Sequence, residues 1–284
     1  MPKLKIVIPK GRLYKNIVEL LDEAGVCIEA NERAYRPVVH DPDLEVKIMK
    51  PQNIPKLLEL HFHDIGFTGL DWIQETDADV ADVLDLNFDP VKIVAAIPQN
   101  MSEEDLRRRE IVVASEYENI SRQFLDEQGY RYIFLRTFGA TEVFPPEDAD
   151  MIIDNISTGR TLTEHRLKIS ALITQSSTRF VADKAALSDA WKREKISELH
   201  TLFQSILDAR QRVMLEMNVS GAQLEDIIAI LPCMRAPTIS SLYGEQGYAV
   251  KVAVKKHQAA KLIPVLKRKG ATDILEYEFK KVVI

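Results

Sequence analysis

Met151-Ile152-Ile153-Asp154-Asn155-Ile156-Ser157-Thr158-Gly159-Arg160-Thr161-Leu162-Thr163 is an apolar run that stops at an acid, turns through a glycine and restarts as a helix near Thr161. In such a turn the backbone N–H groups converge on one point, and the following helix adds about half a positive charge there. Ser157, Thr158 and Thr161 contribute hydroxyls and Arg160 a full charge, a set suited to a phosphate monoester. Asp154, just upstream, suits ribose hydroxyls. The Gly-Lys-Ser/Thr ending of a Walker loop is missing. The same letters also suit an ordinary strand–turn–helix with a capping Ser or Thr.

Outward from this stretch the pattern alternates. Leu4–Ile8, Leu44–Met49, Asp64–Thr68, Val91–Ile97, Ile111–Ala114, Tyr132–Leu135 and Met151–Asp154 read as strands. Leu13–Ala24, Pro51–Leu60 and Tyr117–Gln128 read as helices, the first stopped by Gly25 and the third by Gly129. Alternation of this kind predicts an α/β fold built on mainly parallel sheets. A long helix is expected over about 184–212, as a connector. Beyond it the order becomes βαββαβ, the ferredoxin-like arrangement: Val213–Met217, Gln223–Leu231, Thr238–Ser241, Ala249–Val254, Gln258–Lys269, Asp273–Tyr277.

The charge agrees with that division. Residues 210–284 hold 12 Lys/Arg against 7 Asp/Glu, whereas residues 1–209 hold 25 against 36. A shift of this size sets an expected boundary near 210. The net charge of −6 disfavours a general nucleic-acid or membrane binder. Two distant cysteines, Cys27 and Cys233, build neither a disulfide framework nor a thiolate zinc site and read as small core residues. With no signal-peptide pattern, the expected location is the cytoplasm. His61-x-His63 beside Asp64 has the look of a metal pair but lacks a third ligand at a recognisable spacing.

Asp154-x-x-x-Thr158-Gly159-x-Thr161-Leu162 resembles the phosphoribosyl-pyrophosphate signature. With it stand Lys10-Gly11-Arg12-Leu13, Gly66-Phe67-Thr68-Gly69-Leu70-Asp71, Ser115-Glu116-Tyr117 with Arg122, Gly139-Ala140-Thr141-Glu142-Val143, and Met217-Asn218 with Ala236-Pro237-Thr238-Ile239. In this order and at these separations the chain resembles the long form of the ATP phosphoribosyltransferases, the first enzymes of histidine biosynthesis. The resemblance implies a two-lobed catalytic core like type II periplasmic binding proteins, followed by an ACT-like regulatory module. Lobe I would be residues 1–92, completed by about 178–209, lobe II 93–177, and the regulatory domain 210–284. The reaction would join N1 of ATP to C1 of phosphoribosyl pyrophosphate (PRPP) and release pyrophosphate.

The resemblance further implies Asp154, Lys10 and Glu142 as catalytic residues, and Asp154, Ser157, Thr158, Gly159, Arg160 and Thr161 as the PRPP site. Lys10, Arg12, Lys50, Asp71 and Tyr117 would serve ATP, with Tyr117 packed against the base. Mg²⁺ would be held mostly through substrate, with Asp154 as its protein contact. Histidine, as feedback inhibitor, would meet Asn218, Met234, Ala236, Thr238, Ala253 and Asp273. Dimers would assemble into hexamers, without nucleic acid, membrane or a separate regulatory subunit. The chain departs from the family at three places: Asn155 where an aliphatic residue is usual, Lys50 where an arginine is common, and Met217-Asn218 where an acid often stands. Asn218 would thus offer histidine's ammonium only a neutral amide oxygen. Thr178-Arg179-Phe180 resembles a motif of the prephenate dehydratases, which would leave the stretch from Asp154 to Leu162 unexplained. A small-molecule-binding protein of the same two-lobed fold is the non-enzymatic alternative.

Overall fold

A computed structural model describes residues 3–29, 34–157, 159–244 and 246–284. It divides into two compact units, 1–197 and 198–284.

The first unit begins with β1 (Leu4–Pro9), α1 (Tyr14–Glu23), β2 (Leu44–Met49), α2 (Ile54–Glu59), β3 (Ile65–Gly69), α3 (Leu70–Thr76) and β4 (Ala81–Asp85). Leu4, Ile6, Val7 and Ile8 are all fully buried, as expected of a strand covered on both faces. The chain then crosses to a second lobe through β5 (Val91–Pro98), α4 (Glu103–Arg107), β6 (Glu110–Ser115), α5 (Glu118–Glu127), β7 (Arg131–Arg136), β8 (Met151–Ile156), α6 (Arg160–Glu164) and β9 (Leu167–Ser176). It returns through β10 (Thr178–Ala182), α7 (Lys184–Ser188) and α8 (Ala190–Arg210).

The lobe I sheet runs β2-β1-β3-β10-β4 and the lobe II sheet β7-β6-β8-β5-β9. Each is parallel except around one reversed strand. β10 runs antiparallel to β3 and β4, and β5 antiparallel to β8 and β9. The sheets are therefore mixed rather than mainly parallel. The cause is the path of the chain, which enters lobe II on β5 and re-enters lobe I on β10. This is the two-lobed α/β architecture that the resemblance implies. The helix expected over 184–212 is broken. Asp189 is extended (ψ 127°) and its carboxylate accepts the Lys192 N–H at 2.9 Å, so it ends α7 and caps α8. The division between the compact units, Ser197 to Glu198, falls inside α8 and ahead of the charge shift at 210.

The second unit continues with β11 (Arg212–Val219), α9 (Leu224–Ile228), β12 (Thr238–Ser241), β13 (Tyr248–Lys255), α10 (Lys256–Arg268) and β14 (Thr272–Glu278). Its sheet order is β12-β13-β11-β14, antiparallel throughout, which is the ferredoxin-like order. Val213, Leu215, Met217 and Val219 alternate into one core with Val250, Val252 and Val254, beneath α9 and α10. Gly270 (φ +97°) ends α10 in the conformation that a glycine adopts without strain. Cys233 packs against this core, but Cys27 is exposed and its thiol faces Asp22 at 3.5 Å, so only one of the two is the small core residue expected.

Candidate functional site

Three cavities open along the cleft of the first unit. One, of about 390 Å³, lies over the turn after β8 and is lined by Asp154, Asn155, Ser157, Gly159, Thr161 and Glu142, among others. Gly159 sits at φ +74°, which bends the chain out of β8 into α6. Thr158 lies outside the described residues. Arg160 is 84% exposed and pairs with Glu164, one turn along α6, at 2.8 Å.

Asp154 is held where β8 ends. The Asn155 backbone N–H donates to it at 2.7 Å and the Asn155 amide at 3.3 Å. Burial pushes its carboxyl up to about 6, against the Asn155 hydrogen bond, and the nearby carboxylates Glu142 and Glu116 add to the rise. Glu142 reaches this cavity from a single turn, Thr141–Val143, set up by left-handed Gly139 and Ala140.

The second cavity, of about 320 Å³, lies between the lobes. It is lined by Lys10, Arg12, Asp71, Trp72 and Tyr117, with Asn155 and Ser176. Lys10 follows β1, its ammonium 5.4 Å from the centre of the Tyr35 ring. Arg12 lines this cavity and the first.

Asp71 is a buried strut. It accepts the Ser176 hydroxyl at 2.6 Å and the Tyr117 hydroxyl at 2.7 Å, while its own N–H donates to Ser176 at 3.0 Å. Gly69 makes room for this: a Cβ there would come within 2.0 Å of Asp71 Oδ1. Tyr117 is packed into this network. It is 1% exposed, its ring stacks on Trp72 at 4.6 Å, and its hydroxyl accepts the Asn155 amide at 3.0 Å. Burial and the Asp71 carboxylate hold its phenol protonated. Tyr117 still lines the second cavity, while Trp72 lines the second and third and Phe138 the third.

The third cavity, of about 500 Å³, holds Lys50, Lys56, Trp72, Arg136 and Phe138. Beside it α3 and α5 are clasped. The buried Glu75 carboxylate accepts the backbone N–H groups of Asn119 and Ile120 at 3.0–3.1 Å, the free donors of the first turn of α5. Sequence reading passed over Trp72, Glu75, Ser176 and Glu116. Glu116 stands inside Ser115-Glu116-Tyr117 and Trp72 directly after the stretch Gly66 to Asp71, so a signal was there; Glu75 and Ser176 gave none.

The proposed regulatory residues lie in the second unit. Asn218, Thr238 and Ala253 share the sheet face opposite the helices, by the alternation of buried and open positions along each strand. Met234 and Ala236 are exposed in the loop before β12. The Asn218 amide donates to Asp273 at 3.0 Å, so β14 brings a carboxylate beside the neutral amide.

A metal pair at His61 and His63 is not assembled. His61 faces Asp183 at 3.0 Å, and His63 is buried with its Nδ1 unpartnered. Among the described residues no group of three or more His, Cys, Asp or Glu side chains could hold a metal ion. No helix among them is long and apolar enough to cross a membrane.

Residues 50–205 match the family model described as ATP phosphoribosyltransferase, and residues 209–281 the one described as HisG, C-terminal domain. The chain is 38% identical to an ATP phosphoribosyltransferase of Desulforudis audaxviator over 287 residues, covering 99% of both chains. It is 40% identical to that of Pelotomaculum thermopropionicum over 289 residues, again covering 99% of both. Among solved structures it is similar to the ATP phosphoribosyl transferase (HisG:HisZ) complex from Thermotoga maritima, with a TM-score of 0.64 and 25% identity over 71% of this chain and 98% of that one.

Proposed function

The chain belongs to the ATP phosphoribosyltransferase family, and from that premise we propose how its residues perform the reaction. The enzyme transfers a phosphoribosyl group to ATP in the first step of histidine biosynthesis. One observation carries the reading: the turn after β8, with Asp154 at its entrance, opens into the same cleft as the cavity between the lobes, so two substrates can meet there.

The 5′-phosphate of PRPP takes the backbone and hydroxyls of Ser157 to Thr161. The Asp154 carboxylate faces the ribose, where positive charge develops as the bond to pyrophosphate lengthens. Lys10 and Arg12 face the departing phosphates from the end of β1. Glu142, in the same cavity as Asp154, supports the ribose side. Lys50 is a single point charge for the triphosphate, where an arginine would have gripped two oxygens. A divalent cation, Mg²⁺ in this reading, neutralises the diphosphate when bound. Asp154 would be its protein contact, and substrate oxygens would supply the remaining ligands.

The second unit makes this a long-form enzyme. The Thermotoga relative is described in a HisG:HisZ complex, and it corresponds to 71% of this chain. Here the remaining length holds the module for histidine feedback, with no separate regulatory subunit and with assembly from dimers to hexamers. Pyrophosphate release from ATP plus PRPP, with prephenate turnover as the control, tests the activity. Prephenate turnover without pyrophosphate release would overturn it. Mass photometry tests the assembly.

A further inference from the structure

We infer that Glu116 is the residue that receives the exocyclic amine of the adenine base and so favours attack by N1. The inference rests on the reaction proposed above and on where the cavities meet. Two substrates enter by different openings and one bond forms between them, so the bond forms where the openings join. Among the described residues, Glu116 is the one that lines all three cavities. It follows β6 directly and precedes α5. Its Oε1 lies 3.9 Å from where a Cβ on Gly139 would sit, which puts the carboxylate at the turn facing Asp154. It is close enough to Asp154 to help raise that carboxyl.

A carboxylate where the sugar-phosphate and base cavities join can accept a hydrogen bond from an amine on the base. Adenine presents such an amine on the carbon next to N1. As N1 attacks, the N1–C1 bond forms and the C1–O bond breaks, and its electron pair leaves with pyrophosphate. The adenine ring then carries one positive charge, spread over N1 and the amine. A carboxylate on that amine is bound more strongly by the charged ring than by the neutral one, so it lowers the barrier. The proton stays on the amine until product leaves and is lost to water.

The test compares ATP with purine riboside triphosphate, which keeps N1 and lacks the amine. For wild type, Glu116→Gln and Glu116→Ala, kcat/KM is measured for each nucleotide at saturating PRPP. A misfolded fraction lowers both values equally and leaves their ratio unchanged, so the ratio reads the contact alone. The preference for ATP should shrink about tenfold or more in both variants, with the KM for PRPP little changed. An unchanged preference would overturn the assignment while leaving the activity intact. Failure of wild type to release pyrophosphate from ATP and PRPP would overturn both.

Discussion

Thr161 and Asp154 lie seven positions apart in one local stretch, and their roles separate cleanly. Thr161 supplies one hydroxyl to a charged phosphate, a bond contributing roughly 1.5–3 kcal/mol. Thr161→Ala should therefore raise the KM for PRPP by about 10- to 100-fold and leave that for ATP nearly unchanged. Equal rises would move the phosphate elsewhere. Asp154→Asn keeps the shape and removes the charge opposite the ribose, so kcat should fall about 100-fold, with wild-type turnover as the refuting result. This part of the site was legible because its signals are local. An apolar run, an acid and a left-handed glycine announce a strand, a turn and a helix whatever packs around them. Local reading does leave out neighbours such as Glu164, which pairs with Arg160 four residues back.

Between elements, legibility falls with separation in sequence. Many of the strands and the longer helices follow from periodicity, but β4, β9 and β10 do not. Nor do the partners across elements, because Asp71 meets Tyr117 across 46 residues and Ser176 across 105. Tyr117 reads as a ring packed against a base, whereas it is buried in the lobe II core with Ile93, Val113 and Ile153 and stacks on Trp72. His63 is a similar case, a helix-end histidine that becomes buried with Nδ1 unpartnered. Burial, with Lys47 and Lys5 nearby, lowers its pKa, although Asp64 and Glu45 pull the other way. The unfolded chain then binds the proton more readily than the folded one. Stability is full above the unfolded value of about 6.5 and declines as pH falls below it. Urea midpoints across that range should drop more steeply for wild type than for His63→Gln. Parallel slopes would place the titration in another group.

For the whole molecule, the sequence declared two kinds of module by their charge and their element order. The mixed sheets were hidden, since the direction of β5 and β10 is set by the two crossings between lobes and not by composition. The proposed regulatory module is altered in a similar way by a partner distant in sequence. Asn218 alone suggests a weak grip on an ammonium, but Asp273 at 3.0 Å restores a carboxylate. Asp273→Asn should therefore weaken histidine binding about fivefold or more in calorimetry, with basal activity unchanged. Asn218→Asp should not tighten it, because it sets two carboxylates side by side. A histidine-insensitive wild type would remove the regulatory role from this module.

The clasp between α3 and α5 bears on the time course of binding. Trp72 on Tyr117, Asp71 on the phenol and Glu75 on the first turn of α5 pin the lobes at the back of the cleft. Swinging them apart would break the Tyr117–Asp71 hydrogen bond and take the Glu75 carboxylate from the backbone N–H groups of Asn119 and Ile120. With the lobes held this way, substrates are expected to enter through the open cavity mouths. In stopped-flow records the observed association rate should climb in proportion to nucleotide concentration and reach no plateau, as in diffusive capture by a pocket that is already formed.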